Sequence, residues 1–156
     1  MALLFNTAVY LLIVPLALYF SMLWLDRRYH IGGDKRLLVL ACLMFSLSMF
    51  YPSPRINGQD TQFMTHLIGG GMMVGVLWLY CIHRLQHFKW WQHAILLYAA
   101  VSALGVLNEL YELWAFESGL THIPLTDTSW DLLANTLGAS IIFIGYLMMK
   151  TLFKQR

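Results

Sequence analysis

The chain has 156 residues, 59% of them hydrophobic and only 12% charged, about half the charged share of an ordinary soluble domain. That is the composition of a membrane protein with room for one domain. The formal net charge of +2 comes from basic residues in short clusters between apolar runs, which argues against nucleic acid as a partner. Cys42 and Cys81 lie inside apolar segments without CxxC spacing, so they read as buried reduced thiols rather than a disulfide framework or a zinc site.

The first apolar run, residues 3–25, has no Lys or Arg ahead of it and is followed by Arg27 and Arg28. It reads as a retained anchor, not a cleaved signal peptide. The second, 37–51, is short for a hydrocarbon core of about 30 Å. It is expected to extend back to Asp34, with Lys35 and Arg36 snorkelling, and to stop at Pro52 and Pro54. The third, 63–82, carries His66 one turn before Gly70, with Gly71 and Gly75 in close-packing GxxxG spacing and Asp60 placed to cap it.

The fourth run, 94–114, sets Ser102, Gly105, Glu109 and Glu112 on one helical face, flanked by Asn108. Counting about 1.5 Å per residue from Ala94 puts Glu109 roughly 22 Å along the helix, inside the hydrocarbon, where an acid needs pairing or neutralisation. Both glutamates fall near the expected helix end, where the macrodipole disfavours them. The fifth run, 129–149, carries Asp131, Asn135, Gly138, Ile142 and Gly145 as a polar-to-small stripe, preceded by Asp127 and Thr128 as caps. The expected fold is therefore all-α, a single domain bundling about five transmembrane helices.

Sorting Lys and Arg by side orients the bundle. One side holds Arg27, Arg28, Lys35, Arg36, Arg84, Lys89, Lys150, Lys154 and Arg156; the other holds Arg55 alone. The positive-inside rule then gives N-terminus out and C-terminus in. Trp24, Trp78, Trp90 and Trp91 near the inner boundary, and Trp114 and Trp130 near the outer one, read as aromatic belts. The segment with His83, Arg84, His87, Lys89 and His93 reads as an interfacial basic loop.

Acidic residues gather on the outer side, where His66, Glu109, Glu112, Asp131 and Asn135 are expected to converge from three helices, with Asp60, Asp127 and Arg55 nearby. Plainer readings exist: Asp60 and Asp127 as caps, Asp131 as a first-turn anion, and Glu117 and His122 as solvated loop residues. Glu109 and Glu112 resist such readings best.

The stretch Asp131-Leu132-Leu133-Ala134-Asn135-Thr136-Leu137-Gly138-Ala139 resembles the Asp-Leu-Leu-Ala-Asn-x-x-Gly-Ala segment of the VanZ-like group of small bacterial membrane proteins. Glu109-Leu110-Tyr111-Glu112 is similar to the paired glutamates of its YjdF-type relatives. Asp60 and His66 resemble the group's Asp/His helix opening, at wider separation. The resemblance covers roughly 58–146 and implies the bacterial cytoplasmic membrane and an envelope role; VanZ members are linked to lower teicoplanin sensitivity. It implies no settled biochemical activity.

Three functions fit these residues. The first is a non-enzymatic protein whose outer polar pocket binds a lipid head group, a lipid-linked cell-wall intermediate or a partner's helix. The second is an outer-leaflet enzyme acting on a lipid-linked substrate, with His66, Glu109, Glu112 and Asp131 holding a divalent cation or dividing acid and base roles. No GxSxG, zinc-helix or phosphate-loop motif supports the second. The third is proton- or cation-coupled transport, which five helices without an inverted repeat could support only as an oligomer.

Overall fold

A computed structural model describes residues 9–56, 59–119 and 128–154. Apart from one two-residue ladder, its regular structure is helical, in five helices. Helix α1 opens as a π-helical stretch, Val9–Ile13, and continues as Val14–Tyr29. Pro15 has no N–H to donate into that junction, which favours an irregular ladder just before it. The helix stops at His30 in the left-handed conformation, and Asp26 Oδ1 accepts from the Gly32 N–H at 2.7 Å to fold the turn back.

Helix α2, Lys35–Ser48, is capped by Asp34, whose Oδ1 accepts from the Arg36 N–H at 2.9 Å. The following hairpin pairs β1, Arg55–Ile56, with β2, Gln59–Asp60, placing Arg55 opposite Asp60. Helix α3 runs over Phe63–Tyr80, with a π-helical segment, His66–Met72, between its α-helical parts Phe63–Thr65 and Met73–Tyr80. Its N-cap is Gln62, so the expected Asp60 cap is replaced by a turn in which Asp60 belongs to β2. Helix α4 is Trp90–Glu117 and α5 is Thr128–Lys154.

Three of these helices, α3, α4 and α5, are long and apolar enough to cross a membrane. The 14 residues of α2 reach only about 21 Å at 1.5 Å per residue, short of a core of about 30 Å. Helix α3 is the central element. It packs against α2 on one side and most extensively against α5 on the other, while the described residues of α1 pack chiefly on α2. Two side-chain donors of α2 tie α1 to it: Cys42 Sγ reaches the Pro15 carbonyl at 3.3 Å and Ser46 Oγ the Leu11 carbonyl at 3.2 Å.

The core is formed by Val74, Trp78, Leu97, Val101, Ala139 and Phe143 of α3, α4 and α5. Most of the rest of α4 faces outward: Leu104, Leu107, Leu110 and Trp114 are exposed, as are Leu137, Ile141 and Ile144 on α5. An apolar surface this continuous would be a liability in water and is the natural face of a helix in lipid.

The two ends of the bundle differ in charge. At the basic end, an Arg84 guanidinium donates to the Tyr29 carbonyl at 2.6 Å, Gly33 packs on Tyr80, and Lys150 lies over the Tyr146 ring. Trp24 and Trp90 are exposed there, as belt residues would be, but Trp78 and His93 are not. His93 is 1% exposed and ringed by Trp78, Phe88 and Tyr146, so the loop reading fails for this residue. Helix α4 starts at Trp90, four residues earlier than expected, which draws His93 into the core.

Candidate functional site

The opposite, acidic end is built from the start of α3, the last third of α4 and the start of α5. The α2–α3 connection is fixed by Thr61, whose hydroxyl and N–H both donate to the Pro54 carbonyl, and by the Ser53 hydroxyl, which accepts from the Met64 N–H at 3.0 Å. Phe63 and Trp130 meet edge to face, ring centres 6.5 Å apart, joining α3 to α5.

Close approach of α3 and α5 depends on glycine. A Cβ at Gly138 would overlap the Leu67 carbonyl, one at Gly71 the Asn135 carbonyl, and one at Gly70 the Asn135 Oδ1. On the α4 side, a Cβ at Gly105 would stand 3.4 Å from Asn135 Nδ2 and 3.0 Å from Leu132 Cδ2. The small-residue stripes of three helices therefore let backbones approach until polar side chains above them meet.

What meets is a carboxylate cluster. Glu109 and Glu112 of α4 and Asp131 of α5 each place an oxygen so that all lie within 4.8 Å of one another. Asp131 is 1% exposed, whereas both glutamates are half-buried. His66 Nε2 stands 3.4 Å from Asp131 Oδ1. The Asn108 amide donates to Glu112 Oε1 at 2.7 Å. Glu109 Oε1 is buried and has no hydrogen-bond partner among the described residues.

Asn135 lies one turn deeper than Asp131 on the same face of α5. It is 6% exposed, and its Oδ1 has no hydrogen-bond partner among the described residues. Its amide is wedged between Gly70, one turn below His66, and Gly105, one turn below Glu109. Asn135 thus forms the floor of the cluster.

The electrostatics follow from these distances. Two ionised carboxylates 4.8 Å apart repel by about 1 kcal/mol in a water-like medium and about 3 kcal/mol at an effective dielectric of about 20. Three of them together call for a proton, a cation or a cationic ligand. The macrodipole is a smaller factor than the shorter expected helix suggested. Helix α4 continues to Glu117, and the dipole's influence is confined to the last turn, beyond Glu112.

Of the residues singled out from the sequence, His66, Glu109, Glu112 and Asp131 come together and Asn135 lies beneath them. Asp60 lies in β2, two residues before the α3 N-cap, and Asp127 and His122 fall outside the described residues. Arg55 and Glu117 are exposed, and so is Ser102, which leaves the shared face of α4 to Gly105 and the two glutamates. Sequence reasoning missed the π-helical turn that carries both His66 and the glycines facing α5. The run Gly69-Gly70-Gly71 was its only signal. Compared with known protein families, curated proteins and solved structures, the chain matches none.

Proposed function

We propose that this chain is a multi-pass protein of the bacterial cytoplasmic membrane, with five spans, N-terminus out and C-terminus in, and an outward-facing acidic pocket that binds the head group of a lipid or lipid-linked cell-wall intermediate. The observation that carries the reading is the convergence of Glu109, Glu112 and Asp131 oxygens within 4.8 Å beside His66. Such a cluster at the end of apolar helices stands at head-group depth, and its negative charge selects a ligand that brings positive charge, its own or that of a cation bound with it. The VanZ-like resemblance of the Asp131–Ala139 stretch supports the envelope setting.

The orientation rests on the separation of charge between the two ends and the positive-inside rule. Exposed apolar faces on α4 and α5 fit contact with the bilayer or with a further membrane helix, including one from a second copy.

Purified protein in mixed-lipid nanodiscs tests the binding reading. Native mass spectrometry is expected to find one lipid class retained through detergent exchange, and lost from the Glu109→Gln, Glu112→Gln double variant. Equal retention by both proteins would remove the pocket from lipid binding.

The contact of His66 with Asp131 favours one second reading, an outer-leaflet enzyme. A carboxylate on one imidazole nitrogen fixes the ring and leaves the other nitrogen to accept a proton. Turnover of a lipid-linked substrate abolished by His66→Gln, with lipid retention intact, would favour this reading over simple binding.

A further inference from the structure

We propose that the acidic end of the bundle is a divalent-cation site, with Glu109, Glu112 and Asp131 as anionic ligands and Asn135 as a neutral ligand from below. The inference rests on the binding reading above and sharpens it. A cation held there would make the ligand a phosphate-bearing head group, attracted through the metal, and not a cationic amine.

Oxygen spacing is the first support. Hard divalent cations hold oxygens at about 2.0–2.6 Å, so opposite ligands around one ion stand about 4–5 Å apart. The three carboxylate oxygens already lie within 4.8 Å of one another, so an ion fits among them without a change of backbone.

Asn135 is the second support, and it is independent of the acids. Its side chain is 6% exposed and its Oδ1 lacks a hydrogen-bond partner among the described residues, an arrangement that buried amides rarely adopt. On an α-helix, Cα–Cβ bonds lean toward the N-terminus, so the Asn135 side chain leans along α5 toward Asp131. On α4, which is antiparallel, Glu109 leans back toward Gly105, where Asn135 Nδ2 already lies 3.4 Å from the position of a Cβ. Nδ2 of Asn135 thus lies on the Glu109 side, whereas its Oδ1, the atom able to ligate a cation, lies against Gly70, one turn below His66, and approaches the cluster from the side of His66 and Asp131.

Donor chemistry decides the class of ion. Carboxylate and carbonyl oxygens suit Mg²⁺, Ca²⁺ and Mn²⁺, whereas Zn²⁺ and Cu²⁺ prefer sites dominated by imidazole and thiolate. His66 acts here as a positioning residue. At 3.4 Å from Asp131 it orients that carboxylate, in the way that outer groups commonly orient metal ligands.

The test uses the full chain in phosphatidylcholine nanodiscs, stripped with EDTA and titrated with Mn²⁺, the bound ion being counted by electron paramagnetic resonance. About one Mn²⁺ per chain is expected, displaceable by Mg²⁺ or Ca²⁺. Glu109→Gln with Glu112→Gln should abolish binding, and Asn135→Ala should weaken it at least tenfold. His66→Gln should weaken binding and broaden the Mn²⁺ spectrum as Asp131 loses its fixed orientation. Circular dichroism and gel filtration show which variants remain folded, and the wild-type stoichiometry decides the matter if they do not. Wild-type protein that holds no Mn²⁺, or holds it as well after both glutamates are changed, overturns the proposal. Lipid retention with and without EDTA separates the two readings. A lipid retained without metal leaves the binding reading standing and removes the cation. Bound Mn²⁺ without a selected lipid does the reverse.

Discussion

Asn135 shows how one side chain can depend on residues that have none. Its amide fills the space left by Gly70 on α3 and Gly105 on α4, and its backbone carbonyl is approached by Gly71. Gly70→Ala is therefore expected to push the amide out of place and to cost about 1–3 kcal/mol, the usual penalty of overpacking. Thermal unfolding in detergent micelles measures it. The carboxylates above make the opposite prediction for Glu109→Gln. With no cation bound, removing one of three mutually repelling acids should raise the unfolding temperature, because each repulsion costs about 1–3 kcal/mol at this spacing. In saturating Mn²⁺ the same substitution should lower it, since a ligand is lost. A melting temperature that falls equally in EDTA and in Mn²⁺ would assign Glu109 a structural role.

At the scale of the element, α3 is unusual in carrying a seven-residue π-helical segment, His66–Met72, in its middle. Such segments arise where one residue more than the α-helical register is accommodated, and they recur at functional sites. Deleting Gly69 should let α3 relax to a continuous α-helix, turning the residues before the deletion by about 100° relative to those after it. Cysteines at positions 66 and 131 should then cross-link in the otherwise wild-type chain and fail to do so in the deletion variant, with helical content unchanged. Glycines in α5 separate packing from propensity in the same way. Gly138 faces the Leu67 carbonyl, whereas Gly145 has nothing within 4 Å of a Cβ. Gly138→Ala should destabilise the α3–α5 pair. Gly145→Ala should be neutral or gain up to about 1 kcal/mol from helix propensity. Chemical unfolding of the two variants side by side checks this contrast.

For the whole molecule, charge is divided between two ends, and the proposed topology takes its orientation in a bilayer from that division. Residue 55 should be reachable from outside and residue 89 from inside. In a chain with Cys42 and Cys81 replaced by Ala, a membrane-impermeant maleimide applied to intact cells should label Arg55→Cys and spare Lys89→Cys. Reversed labelling would invert the proposed topology. The periphery is also uneven. Helix α1 buries only Pro15 among its described residues and packs chiefly on α2, while α3 sits at the centre. Cys42→Ala together with Ser46→Ala removes both side-chain donors from α2 to α1, leaving that of Arg84 to the Tyr29 carbonyl, and should loosen the contact of α1 with α2 without disturbing the carboxylate cluster.

Much of this architecture could be read from the linear chain. The all-helical membrane class, the helix ends that fall among the described residues, to within about five residues, and the stripe of Asp131, Asn135 and Gly138 follow from local composition, caps and helical period, which depend only on neighbours in sequence. Which side chains meet was decided elsewhere. Glu109 and Asp131 are brought within reach by the crossing of α4 and α5, and His66 by the π-helical register of α3. Trp78 and His93 look like interfacial residues by position, yet the longer α4 and its packing on α3 and α5 bury them. Transfer of apolar segments out of water is a sum over residues and is fixed by composition. The rotation of each helix about its axis depends on close packing among side chains distant in sequence, and only the assembled bundle determines it.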